Sequence, residues 1–131
     1  MSNYVGTWGL YSWFRENGEH LLHPDERSDK AYENYYGRVF FCSGETEDGY
    51  LILDFASTQY RVRPDIYQVA PTPPFKFGDK VRYKTKPERV GIILGLNWHF
   101  KRGEPMYTLI IEGKRAKKIY YAADLELIED D

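Results

Sequence analysis

Residues 88 to 129 read ERVGIILGLNWHFKRGEPMYTLIIEGKRAKKIYYAADLELIE, and the reading of this stretch decides the fold. Three apolar runs, 90–94, 106–111 and 116–121, are separated by polar or aromatic connections, and 125–128 alternates once more. Glu112-Gly113-Lys114 is a tight polar turn with Gly where a positive φ is expected. Ala122 and the residues to Leu125 have turn character, so the stretch parses as strand, long aromatic loop, strand, turn, strand, helical turn and closing strand. That is most of a small antiparallel β unit.

The first half carries the same grammar. Residues 38–42 form a β-rich run, and Ser43-Gly44-Glu45-Thr46-Glu47-Asp48-Gly49 is an acidic loop bounded by glycines. Strands are expected at 50–55 and 59–62 about the turn Ala56-Ser57-Thr58. A helical turn at Arg63-Pro64-Asp65-Ile66 then leads into Tyr67-Gln68-Val69. Such closely spaced elements leave no space for a crossover helix, so the sheet must be antiparallel. Laid on the second half, Val39-Phe40 falls on Ile92-Ile93, 50–55 on 107–112, Asp65-Ile66 on Asp124-Leu125 and Val69 on Ile128.

Between the halves, Pro71-Thr72-Pro73-Pro74 cannot sit in a sheet and reads as a stiff extended connector. A strand from Val81 to Lys84 follows the turn at Gly78-Asp79. At the other end, Gly9-Leu10-Tyr11-Ser12-Trp13-Phe14 is read either as a strand whose ring face covers a barrel mouth or as a loop plugging the gap between two barrels, the loop being preferred because Gly6 and Gly9 weaken a regular strand. The charged stretch 25–34 is the one expected helix, one to two turns with Ala31 and Tyr32 facing inward.

A single-turn helix just before the last strand recurs in SH3-like barrels, a family that includes Tudor and KOW modules, and both halves resemble it. The phrases Gly9-Leu10-Tyr11-Ser12-Trp13-Phe14, Glu19-His20-Leu21-Leu22-His23-Pro24-Asp25, Trp98-His99-Phe100-Lys101 and Tyr120-Tyr121-Ala122-Ala123-Asp124-Leu125 also resemble an uncharacterised bacterial family of small proteins, over nearly the whole chain. That resemblance brings no catalytic residues. The expected fold is therefore all-β, two tandem SH3-like antiparallel β-barrels with at most one short helix. The first barrel with its aromatic segment occupies 1–70, the connector 71–74, and the second barrel 75–131. One irregular barrel of about ten strands is the structural alternative.

Composition narrows the function classes. The chain has 131 residues, 42% apolar and 29% charged, which suits one ordinary soluble domain or two very small ones. The 17% aromatic content, with 12 Tyr and 3 Trp, is explained first by sheet packing. No run approaches the ~20 apolar residues of a bilayer crossing, and no basic export leader is visible. Cys42 is the single cysteine, so an intrachain disulfide is excluded and a cytoplasmic location is expected. The net charge of −2 hides an asymmetry: residues 1–74 carry 6 Lys and Arg against 11 Asp and Glu, while 75–131 carry 12 against 9. Without Glu129, Asp130 and Asp131 the second half stands at +6.

Catalytic chemistry has little to stand on. His20 and His23 with Asp25 and Glu26 could begin a metal site, but Pro24 opposes a helical His-x-x-His and no Cys cluster completes it. No phosphate loop, dinucleotide fingerprint or Ser elbow is present, and Gly91-Ile92-Ile93-Leu94-Gly95 is too apolar to cradle phosphate.

Binding is the better reading. Asn97-Trp98-His99-Phe100-Lys101-Arg102-Gly103 sets two large rings beside two cations in a hairpin loop, and these types dominate binding energy when partly exposed. The chain is expected to be a non-enzymatic module without cofactor or metal. It would recognise a protein or peptide through Tyr11, Trp13, Trp98, His99, Phe100, Lys101, Arg102, Tyr107 and Tyr120, as a monomer or weak homodimer with no membrane association. One alternative is RNA or single-stranded DNA binding through Lys114, Arg115, Lys117 and Lys118, since phosphate contacts need cations and single strands add stacking rings. The other is a metal-dependent enzyme using His20, His23 or His99.

Overall fold

Gly9, which argues against a regular strand in isolation, lies in the middle of a fully paired one. The computed structural model describes residues 3–128, so the acidic end Glu129, Asp130 and Asp131 lies outside the described residues. The chain divides into two compact units, 1–72 and 73–131. Among the described residues the molecule is mainly β, with two separate antiparallel sheets and only short 3-10 turns besides.

In the first unit β1 (Trp8–Tyr11), β2 (Val39–Glu45), β3 (Leu51–Phe55), β4 (Thr58–Val62) and β5 (Tyr67–Ala70) lie in the order β4-β3-β2-β1-β5. The expected plug at 9–14 is thus corrected: its first residues belong to β1, which pairs with both β2 and β5. The glycine serves packing. A Cβ at Gly9 would collide with the Tyr67 ring and come within 2.6 Å of the Gln68 carbonyl oxygen, so only Gly lets β5 cross here.

The long connection between β1 and β2 contains 3-10 turns at Arg15–Asn17, Glu19–Leu21, Pro24–Glu26 and Ala31–Asn34, not the expected helix over 25–34. A helix this short closes too few hydrogen bonds to offset its nucleation, and tertiary anchors hold the segment instead. Leu21, Leu22, Ala31 and Tyr35 are buried in the unit's core. Tyr32, expected inward with Ala31, is exposed. Arg63 N–H donates to the Leu21 carbonyl and His23 N–H to that of Arg61, which seats the connection along β4. The Glu26 carboxylate accepts from both the backbone N–H and Nε of Arg61 at 3.1 Å.

The second unit contains β6 (Lys80–Tyr83), β7 (Lys86–His99), β8 (Glu104–Ile111), β9 (Lys114–Arg115), β10 (Tyr120–Tyr121) and β11 (Leu125–Leu127). Their order is β10-β8-β7-β6-β11, with β9 also on β8. As in the first unit, the closing strand follows a 3-10 turn (Pro64–Ile66 there, Ala122–Asp124 here) and returns antiparallel beside the opening strand. The expected long aromatic loop is shorter than its composition suggests. β7 runs through Trp98 and His99, Trp98 pairs with Pro105, and the connection is only 100–103.

Both sheets carry a bulge at the same place, between Cys42 and Gly44 opposite Leu53 and Ile52, and between Ile93 and Gly95 opposite Leu109 and Thr108. This aligns Cys42 with Ile93, Leu53 with Leu109 and Tyr67 with Leu125. The sequence matching had the elements in the right order but slid by one or two residues. The bulge adds a residue to one strand that no pattern of apolar side chains marks, and a one-residue slip exchanges the faces of a strand. Among the described residues, no helix is long and apolar enough to cross a membrane.

Candidate functional site

The β7–β8 turn owes its shape to local hydrogen bonds. His99 Nδ1 accepts from Arg102 N–H at 3.0 Å, and Gly103 N–H donates to the His99 carbonyl with Gly103 at φ +66°. Arg102 is held twice, by Nε to Glu104 at 3.1 Å and by stacking of its guanidinium 3.8 Å from the Tyr121 ring centroid. His99 meets the same ring edge-on at 6.0 Å. The structure therefore brings His99, Arg102 and Tyr121 together into a closed cluster at one end of the hairpin. Trp98 is half-buried, and Phe100 and Lys101 are exposed at the turn.

Four other expected contact residues are interior. Tyr11 and Trp13 belong to the core of the first unit. Tyr11 Oη donates to the Arg63 carbonyl at 2.6 Å, and Trp13 Nε1 to that of Gly18 at 3.0 Å. Tyr107 and Tyr120 are buried in the second unit, Tyr107 against Phe75 and Tyr120 against Tyr83. As contact residues these four are corrected to packing residues. Units this small bury a lower fraction of their surface than larger domains do, and large rings help to fill their cores.

The other end of the second unit holds a groove of about 720 Å³ that the sequence did not announce. One wall comes from an irregularity in the β6–β7 pairing: Arg82 faces Val90 while Tyr83 faces Lys86, so Pro87, Glu88 and Arg89 have no partners on β6. Pro87 is the signal for it, since a proline within a strand run requires an edge or a bulge. This wall presents Lys86, Glu88, Arg89 and Val90. The facing wall presents Ile111 and Glu112 from the end of β8, then Ala116, Lys117, Lys118 and Tyr120. The expected third run 116–121 is only partly strand, because 116–119 leave the ladder between β9 and β10.

Two cations of this groove, Lys118 and Arg89, are positioned by phenols. Lys118 Nζ donates to Tyr83 Oη at 3.1 Å and lies 4.8 Å from the Tyr83 ring centroid and 5.4 Å from that of Tyr120. Arg89 Nη1 approaches Tyr120 Oη at 3.4 Å. The two rings meet edge to face at 5.6 Å. The hydrogen bond from Lys118 holds the Tyr83 phenol below the usual tyrosine range and Lys118 above the usual lysine range. Of the four residues in the nucleic-acid alternative, Lys117 and Lys118 line the groove. Lys114 and Arg115 are exposed on the edge strand β9 outside it. Lys86 and Arg89 complete the cluster and were not singled out in the sequence.

The histidines are dispersed. His20 is exposed, and His23 Nδ1 accepts from Asp25 N–H with its ring 4.9 Å from that of Tyr50. His99 has the turn-capping role described above. Among the described residues, no group of three or more His, Cys, Asp or Glu side chains could hold a metal ion. Cys42 is buried in the first core, and that burial pushes its thiol pKa up, away from nucleophilic character.

Fold and groove together define a two-unit, all-β protein with a cationic surface groove on its second unit. The chain belongs to a family of unknown function, DUF6960, whose model matches residues 1–126. No curated protein and no solved structure matches it.

Proposed function

We propose that this is a non-catalytic recognition module, two SH3-like barrels in tandem, that binds a protein or peptide partner through the second unit. The barrel assignment is supported by the corresponding strand order of the two sheets, which differ by the additional β9, by the matched bulges, and by the 3-10 turn before each closing strand. The lone buried Cys42 suits a reducing bacterial cytoplasm. The observation that carries the binding reading is the coexistence, on one small sheet, of a positively charged groove and an aromatic turn whose Phe100 and Lys101 are exposed.

The experiment is affinity capture from the source cell with the wild-type chain, a turn variant (Phe100→Ala with Lys101→Glu) and a groove variant (Lys117→Glu with Lys118→Glu). A partner lost on alteration of either surface supports the reading. An unchanged set of captured proteins with both variants removes it.

Nucleic-acid binding is the second reading, favoured by Lys114 and Arg115 lying on the strand next to the groove cations. It is opposed by the state of the rings. Tyr107 and Tyr120 are buried and Tyr83 is covered by Lys118, so the groove offers no open stacking face.

A further inference from the structure

Two of the four groove cations, Arg89 and Lys118, are fixed in place without being neutralised. Elsewhere in this unit two arginines are immobilised by carboxylates, Arg82 on Glu126 and Arg102 on Glu104. In the groove the anchors are neutral phenols, Tyr83 for Lys118 and Tyr120 for Arg89. Among the described residues, Lys86, Arg89, Lys117 and Lys118 make no ion pair, although two carboxylates also line the groove. Positive charge is thus held in a set position with its counter-charge left to come from outside. That arrangement lowers the ordering cost of binding an anion.

Between the cations the lining is apolar, with Val90 on one wall and Ile111 on the other. Val90 is 36% exposed although it lies in a strand interior. A ligand matching both features alternates negative and apolar groups along its length. An extended polypeptide does this when acidic and apolar residues come in successive pairs, because side chains two residues apart share a face. A volume of about 720 Å³ falls within the range of roughly 300–1,000 Å³ typical of small-ligand sites, enough for a short segment rather than a folded surface.

We infer that the groove between Arg89 and Lys118 takes an extended acidic peptide segment, its carboxylates meeting Lys86, Arg89, Lys117 and Lys118 and its alternate apolar side chains resting on Val90 and Ile111. This rests on the recognition reading above and specifies its ligand. The two groove carboxylates make the site selective, since they repel a uniform polyanion while tolerating one whose charges are spaced.

The test is fluorescence anisotropy of the full chain with a labelled octapeptide alternating Glu-Glu and Leu-Leu pairs, so that each face of the extended chain alternates negative and apolar groups. The controls are the same peptide with Gln for Glu, an all-Glu octapeptide and an oligothymidylate of equal charge. Expected is binding of the alternating peptide that weakens at least tenfold on Gln substitution, and on raising salt from about 50 to about 300 mM. The double variant Arg89→Gln/Lys118→Gln is expected to cost at least tenfold as well. Lys117→Gln, an exposed side chain, provides a variant whose folding is safe and should weaken binding severalfold.

No binding of the alternating peptide, or equal binding of the oligothymidylate, overturns the inference. So does salt-sensitive self-association that the groove variants abolish, since a second copy would then be the occupant. The two levels separate cleanly. If the peptide fails while captured partners depend on Phe100 and Lys101, recognition stands and the groove assignment falls; if capture is indifferent to both surfaces, recognition falls too.

Discussion

Lys118 Nζ donates to Tyr83 Oη across 3.1 Å, joining the segment after β9 to the end of β6 through an ammonium stacked on two phenol rings. The contact stabilises the phenolate of Tyr83, so its proton should leave below the usual tyrosine range. In a spectrophotometric titration this early tyrosine ionisation should vanish in Tyr83→Phe and move to higher pH in Lys118→Gln. An early phase that survives Tyr83→Phe rules this out.

The buried tyrosines behave in the opposite sense. Burial, the largest cause, pushes Tyr67 and Tyr107 up to about 12 and Tyr11 and Tyr35 higher still. Their unfolded value is near 10. Below that value both states are protonated and the full stability is present. As pH rises toward 12 the unfolded chain loses protons that the folded chain keeps, so stability falls. The urea midpoint should be flat up to about pH 9 and decline steeply from about pH 10; a midpoint unchanged at about pH 11.5 contradicts this burial.

Gly9→Ala should destabilise the first unit by about 3 kcal/mol, at the upper end of overpacking costs, because the new methyl meets the Tyr67 ring and the Gln68 backbone together. Chemical denaturation followed by Trp fluorescence measures it. A cost under about 1 kcal/mol means β5 can move away from β1, and the packing explanation for this glycine is wrong.

Ala56→Gly should stabilise the protein by about 1 kcal/mol. Ala56 holds φ +54° in the β3–β4 turn, a left-handed conformation that costs an L-residue about 1–2 kcal/mol and Gly little, with the extra unfolded-state entropy of Gly offsetting part of the gain. Glu112, at φ +53° in the corresponding β8–β9 turn, is the internal comparison. A lowered melting temperature for Ala56→Gly counts against relief of strain.

Much of the strand pattern was legible because it is written locally. The apolar runs 50–55 and 106–111, the turn at Gly113, and the helical turns at Pro64 and Ala122 each lie within a few residues, and they recover the order of elements in both units. The interior role of the aromatics was stated only in general terms. Tyr11, Trp13, Tyr107 and Tyr120 have the composition of contact residues, and nothing in their neighbours' identity says which side of a sheet they face. Lys86 and Arg89 were missed for a related reason: they lie about thirty residues from Lys117 and Lys118, and only the irregularity at Pro87 turns them toward the same groove.

By itself the sequence determined a β protein in two similar halves joined at a proline-rich segment, since side-chain period, turn chemistry and proline's missing N–H act over a few residues and need no partner. Tertiary structure alone decided that Gly9 belongs to a central strand, that the register slips at two matching bulges, and that four distant cations share one groove. Each of these depends on which strand lies beside which, and that is a property of the paired sheet and its packed core, not of any short segment of chain.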